Sequence, residues 1–184
     1  PKWKGKVAMA STQERSVLLW LASIVALKGD NFARDYFKGL AANVKVLSGH
    51  TEVRQAVGRG EFQIGLVNHY YYLQEKKEGS PVGIYYPDQG PDDIGVLVFP
   101  SAIAIVKGTK HPKAAQAFTD FMLSEKMRSE LAQEIGEIPL TVAAQPAGLE
   151  ELRPLEQLRQ TPVTIPQLTD LFEKTLKLVE PYGF

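Results

Sequence analysis

The chain has 184 residues, 44% of them hydrophobic and 23% charged, enough apolar material for one ordinary domain or parts of two. Lys plus Arg and Asp plus Glu number 21 each, so no excess charge draws the chain to nucleic acid or to an acidic membrane surface. Cysteine is absent, which excludes disulfides, thiolate metal sites and cysteine nucleophiles.

The sequence opens on Trp3-Lys4-Gly5-Lys6 and runs directly into a strand-like segment, Val7 to Ala10. That opening reads as mid-protein, so an export signal is expected upstream of Pro1. A polar turn, Ser11 to Ser16, precedes a helix over Val17 to Lys28 that is apolar on most faces, predicting deep burial and a stop at Gly29. Phe32, Tyr36, Phe37 and Leu40 recur at helical spacing and predict a second helix over 31–40. Val44 to Leu47 reads as a strand, and Thr51 as the cap of a short helix with Val53, Ala56 and Val57 facing inward. Phe62 to Val67 is the next strand. It leads into Asn68-His69-Tyr70-Tyr71-Tyr72 and a helix reaching Lys77.

Further strands are expected at Val82 to Tyr86, Ile94 to Phe99 and Ala102 to Val106, with a Pro/Asp/Gly-rich loop over 87–93. Pro112 suits a first helical position, and Ala114, Ala115, Phe118, Phe121 and Met122 form one face of the helix it starts. Ser124 caps another helix from Glu125 to about Glu134. A Pro-containing stretch from Pro139 to Pro166 precedes a final amphipathic helix, Gln167 to Val179. Strands alternating with helices imply an α/β protein with a largely parallel sheet flanked by helices.

Several chemistries are missing. No glycine-rich phosphate loop and no Gly-x-Ser-x-Gly elbow occurs, and His50, His69 and His111 lack zinc-site spacing, so no enzyme is expected. The tyrosine cluster stands out instead. Phenols at the end of a strand lie at the rim of a sheet, where open α/β proteins bind ligands. Ionised, they are hard oxygen ligands for a trivalent cation able to displace their protons. The competing reading is aromatic packing of a helix on the sheet.

The segment from Gly65 to Tyr72, followed by Glu75-Lys76-Lys77-Glu78-Gly79, resembles the ferric-iron-binding proteins of bacterial ABC importers, within the extracellular solute-binding protein family. Trp3 to Val7, Leu27 to Asp30, Phe37 to Leu40, Gln55 to Glu61, Ala114 to Ser124 and Glu137 to Leu140 are similar to parts of that family in the same order. The resemblance implies a type II periplasmic-binding-protein-like lobe with a largely parallel mixed sheet, plus a crossover segment of the other lobe. Residues 1–95 and 150–184 would form the second-lobe-like domain, and 96–149 the hinge strands and a helical segment of the first lobe.

Carried over residue by residue, the resemblance makes Tyr70 and Tyr71 the iron ligands and Tyr72 a packing residue. Asn68 matches a contact to a synergistic anion, carbonate or phosphate. Thr12, Gln13 and Arg15 lie in the turn that offers backbone N–H groups and a guanidinium to that anion. His50 stands where relatives carry an anion-contacting asparagine, and its role as anion contact, metal ligand or neither stays open. A third tyrosine used by some members is missing from the turn. The resemblance further implies a membrane permease as partner and a periplasmic or extracellular location. The apolar helix face within 101–148 would be covered by the N-terminal lobe or by a second copy of the chain. Two rival readings are a solute-binding protein for a small organic ligand or oxyanion, and a non-transporting interaction module.

Overall fold

In the computed structural model, which describes residues 2–138, 140 and 151–184, three short strands form a parallel sheet in the order β2-β1-β3. Strand β1 (Val7–Ala10) pairs with β2 (Val44–Leu47) in the register Val7 to Val44, and with β3 (Ile64–Leu66) in the register Val7 to Ile64. A central strand between two neighbours and under helices has no solvent face, and all four β1 residues are buried accordingly. The first apolar run of the sequence is therefore the middle of the sheet.

Helix α1 (Arg15–Ala41) follows β1, α2 (His50–Gly58) follows β2 and α3 (His69–Lys77) follows β3. Gly29, at φ 76° and ψ 173°, breaks α1 into the two helical stretches that the sequence predicts. By length and apolarity α1 could cross a bilayer. Its break and its packing mark it instead as a core helix: Val17, Leu21, Ile24, Val25, Ala33 and Phe37 join Ala8, Met9 and Ala10 in one buried cluster. Leu178 and Val179, from the end of the chain, complete that cluster.

Helix α4 (Pro112–Met122) begins at proline as expected, and α5 (Glu125–Ile135) is capped by Ser124, whose side chain accepts from the Met127 N–H. The expected final helix is two, α6 (Ile165–Asp170) and α7 (Phe172–Val179), and it starts earlier than expected because Thr164 and Gln167 form a reciprocal capping box. The α2 cap is also a correction. It is Gly49, with His50 as the first helical residue and Thr51 inside the first turn.

Val82 to Tyr86 and the segments 94–99 and 102–106 are not strands of the described sheet. The alternation at Val82, Ile84 and Tyr86 does turn those side chains inward. Alternation fixes which face is buried, whereas a strand also needs a neighbour to complete its ladder. Among the described residues only Val96 finds one, bridging Gln160 in parallel. The sheet is thus parallel throughout. The expectations placed on Pro139 and on residues 141–150 fall outside the described residues.

The chain divides into two units, Pro1–Leu97 with Arg159–Phe184, and Val98–Leu158. The first holds the sheet, α1 to α3, α6 and α7. Within it Gly95 meets the returning chain: Val96 N–H donates to the Arg159 carbonyl at 2.9 Å, and the Thr161 hydroxyl donates to the Gly95 carbonyl at 2.9 Å. The second unit holds α4 and α5. No α4 residue is buried, and Phe118 and Phe121 on its apolar face are 58% and 52% exposed.

Candidate functional site

Because β1, β2 and β3 run parallel, their carboxyl ends share one edge, and each hands the chain to a helix there. The Ser11 N–H donates to the Leu47 carbonyl at 2.9 Å, which holds the turn after β1 beside the end of β2. Residues far apart in sequence meet on this edge: 11–16 at the start of α1, 48–50 at the start of α2 and 67–71 at the start of α3. Open α/β sheets place ligands outside the carboxyl ends of their strands.

Tyr70 and Tyr71 occupy the first turn of α3. Their ring centroids are 4.5 Å apart at an interplanar angle of 36°, and their hydroxyls share a hydrogen bond. Asn68, the N-cap residue of α3, turns its side chain onto this pair, with Nδ2 donating to Tyr70 Oη at 3.2 Å. His69 stands edge-on to Tyr70 at 5.7 Å. Tyr72 is buried, at 7% exposure.

His50 joins the cluster from α2. Its ring lies 5.1 Å from that of Tyr71, and its Nε2 lies 2.7 Å from the Ser16 hydroxyl on α1. The imidazole is 3% exposed and its Nδ1 is buried with no hydrogen-bond partner. Burial lowers the His50 pKa from its ordinary value, against the opposing charge of Glu14. Its neutral form is therefore favoured, which leaves a ring nitrogen able to accept or to ligate.

The Tyr71 phenol is pushed well above its ordinary value, chiefly by burial, then by the hydrogen bond and charge of Tyr70, and by the charge of Glu14. The Arg54 guanidinium opposes these effects. Tyr71 is accordingly a neutral phenol in the absence of a cation, and a metal binding there must displace its proton. Among the described residues no group of three or more His, Asp or Glu side chains could hold a metal.

The other residues singled out from the sequence sit on the same edge but outside the aromatic cluster. The Thr12 hydroxyl donates to the Phe184 carbonyl at 2.8 Å, so that side chain is already engaged. Gln13 and Arg15 are exposed, without a side-chain hydrogen bond or ion pair among the described residues. Two further residues enter the site. Ser16 reaches His50, and Glu14 is close enough for its charge to bear on both His50 and Tyr71. The polar turn 11–16 was their only sequence signal.

Behind the tyrosines, α3 is fastened to α2. Arg54 Nη1 pairs with Glu75 and, at 2.9 Å, with Glu78, and the Ser80 hydroxyl donates to Glu75 at 2.7 Å. The Arg54 and Glu75 side chains are 11% and 6% exposed. Tyr71 and Glu75 are four residues apart on α3 and so share a helix face.

Residues 1–160 match the family described as bacterial extracellular solute-binding protein. Iron uptake protein A1 of Synechocystis is 29% identical over 150 residues, which is 76% of this chain and 41% of that protein. The major ferric iron-binding protein of Neisseria meningitidis serogroup B is 27% identical over 185 residues, covering all of this chain and 55% of its own length. The chain thus spans about half the length of the curated relatives it matches. Among solved structures, iron-bound HitA from Pseudomonas aeruginosa superposes with a TM-score of 0.85 at 30% identity, covering 100% of this chain and 59% of HitA. That likeness bears out an α/β lobe of the type II periplasmic-binding-protein kind. With a family match over 160 residues and this fold agreement, the chain belongs to the bacterial extracellular solute-binding proteins.

Proposed function

We propose that the chain binds ferric iron through the phenolates of Tyr70 and Tyr71, as the solute-binding component of a bacterial ABC importer in the periplasm or outside the cell. The observation that carries this reading is the phenol pair, 4.5 Å apart, at the carboxyl edge of a parallel sheet. The relatives named for iron uptake and ferric iron binding support it. Two adjacent hard oxygen donors suit a small, highly charged cation better than an organic solute. A synergistic anion, carbonate or phosphate, completes the coordination. Asn68 and His50 contact that anion from the tyrosine side. Thr12 offers its backbone N–H, since its hydroxyl is engaged with Phe184, and the exposed Gln13 and Arg15 close over the anion from the turn.

Ferric nitrilotriacetate added to the protein is expected to produce a visible phenolate-to-iron absorption band. Tyr70→Phe and Tyr71→Phe should each weaken iron binding by about tenfold or more, and the double variant should remain colourless. An uncoloured wild-type protein, or a double variant with undiminished iron affinity, rules the reading out. A melting temperature raised by a polyamine, thiamine or a sugar but not by iron would favour a small organic ligand instead.

Binding, not catalysis, is the activity proposed, and the partner that receives the cargo is a membrane permease. The exposed Phe118 and Phe121 support a second contact, in which the N-terminal lobe or a second copy of the chain covers the α4 face. Light scattering across a concentration series tests the second copy. Mass that grows with concentration supports the second copy, and a constant monomer mass rules it out.

A further inference from the structure

Helix α3 carries the tyrosine pair on only nine residues, and Asn68 at its N-cap makes no side-chain capping bond to it. A helix that short has little stability of its own, so its place must come from what it packs against. Two of its residues are buried, Tyr72 and Glu75. Tyr72 sets the depth of the helix, but one aromatic contact leaves rotation about the axis undetermined. The second anchor is Glu75, a carboxylate at 5% exposure.

Glu75 meets the Arg54 guanidinium of α2 and the Ser80 hydroxyl. Its carboxylate lies over Gly58, where a Cβ would overlap Oε1 and stand 2.9 Å from that hydroxyl. His50, Arg54 and Gly58 follow at four-residue intervals on α2, as Tyr71 and Glu75 do on α3, so each set shares a helix face. The two faces meet as a ladder. The His50 ring on Tyr71 is one rung, and Arg54 on Glu75 is the next. Stability does not account for the second rung. Apolar side chains of similar volume often stabilise a fold as well as a buried ion pair, and Arg54 Nε is buried without a hydrogen-bond partner among the described residues. What a charged pair does better is fix a register, because its hydrogen bonds are made in one alignment only.

We propose that the buried Arg54–Glu75 pair is the positioning element of the tyrosine site, fixing the rotation of α3 so that Tyr71 is held against His50 and beside Tyr70. The proposal rests on the iron-binding reading and goes beyond it. Neither member of the pair touches the cargo; both act through Tyr71. Gly58 belongs to the same device, since a side chain there displaces the Glu75 carboxylate. Removing one partner strands the other charge and weakens the fold. Replacing both with apolar residues of like size keeps the fold and frees the register.

The test titrates ferric nitrilotriacetate into the full chain, read by the phenolate-to-iron band, and follows urea unfolding of the same proteins. It compares wild type with the double variant Arg54→Met, Glu75→Leu, which removes both charges at similar volume. It also takes Gly58→Ala, which keeps both charges and displaces the Glu75 carboxylate. Both are repeated in a Tyr71→Phe background. The apolar pair should unfold at the wild-type urea midpoint or above it, yet bind iron about tenfold or more weakly. Gly58→Ala should also lose affinity, although alanine is the better helix former. In the Tyr71→Phe background neither change should cost further affinity, because the phenol they position is gone. A merely structural role would lower the urea midpoint and weaken binding equally in both backgrounds. Wild-type affinity in either variant overturns the proposal while leaving the tyrosine site standing, and so does a loss of the same size after Tyr71→Phe. Should the apolar pair not fold, Gly58→Ala decides by the same two readings. A wild-type protein that develops no band removes the iron reading and this proposal together.

Discussion

Arg54→Ala is expected to lower the free energy of unfolding by about 3–5 kcal/mol, read from the shift of the urea midpoint at constant slope. The magnitude follows from burial. At 6% exposure Glu75 cannot turn to water when Arg54 is removed, and Ser80 alone would remain to hold its carboxylate. Breaking a buried pair from one side strands the other charge, and that costs far more than the pair contributes. Arg59 and Glu61 form the internal comparison. They are joined at 2.7 Å, but both are more than half exposed. Arg59→Ala should therefore leave the urea midpoint nearly unchanged. The Arg54 loss should also reach the site, since α3 carries Glu75 and the tyrosine pair on one short helix. Equal effects of the two arginine substitutions would mean that Glu75 finds water after all.

Gly95→Ala is the second large expected effect, a loss of about 3 kcal/mol or more in the same measurement. Gly95 has φ +81°, a left-handed conformation that itself costs roughly 1–2 kcal/mol for an L side chain. An added Cβ would also stand 2.7 Å from both the Arg159 carbonyl oxygen and the Gln160 carbonyl carbon. Those atoms are backbone and cannot swing aside as a side-chain end can. Relief requires moving the segment that bridges Val96, with loss of the bonds from Val96 N–H to Arg159 and from Thr161 to Gly95. Gly60→Ala makes the contrast. It also has positive φ, at +77°, but a Cβ there meets nothing, so it should show the conformational cost alone.

Much of this architecture was written in local pattern. Val7 to Ala10, Val44 to Leu47 and the run before Asn68 are short apolar segments followed by helical periodicity, and each became a strand of the sheet. The Gly29 break and the Ser124 cap were equally local, since each depends on one residue's own preference. The segments at 82–86 and 94–106 show the limit of that reading. Their residue types suit strands, but pairing is a property of the neighbour, and single-sequence pattern does not say which neighbour arrives. The same limit governs the site. Tyr70 and Tyr71 announce themselves by adjacency, and Asn68 by its place before a helix. Ser16 against His50 is a contact across 34 residues, and Glu14 beside Gly49 exists only because β1 and β2 end side by side. In sequence, Glu14 and Ser16 are two polar residues in a polar turn.

The parallel pairing of the three strands has an electrostatic consequence. It aims three helices the same way, so that α1, α2 and α3 all present their amino ends to the edge where the tyrosines lie. Each such end carries the equivalent of roughly half a positive charge, effective over its first turn. Tyr70, Tyr71 and Glu14 stand in those first turns or at their caps. The backbone therefore supplies a standing positive potential that lowers the cost of ionising the phenols when a cation displaces their protons. It also weakens the grip on the cation once bound. One orientation of the sheet thereby eases ionisation of the proposed ligands and limits how tightly they would hold a cation.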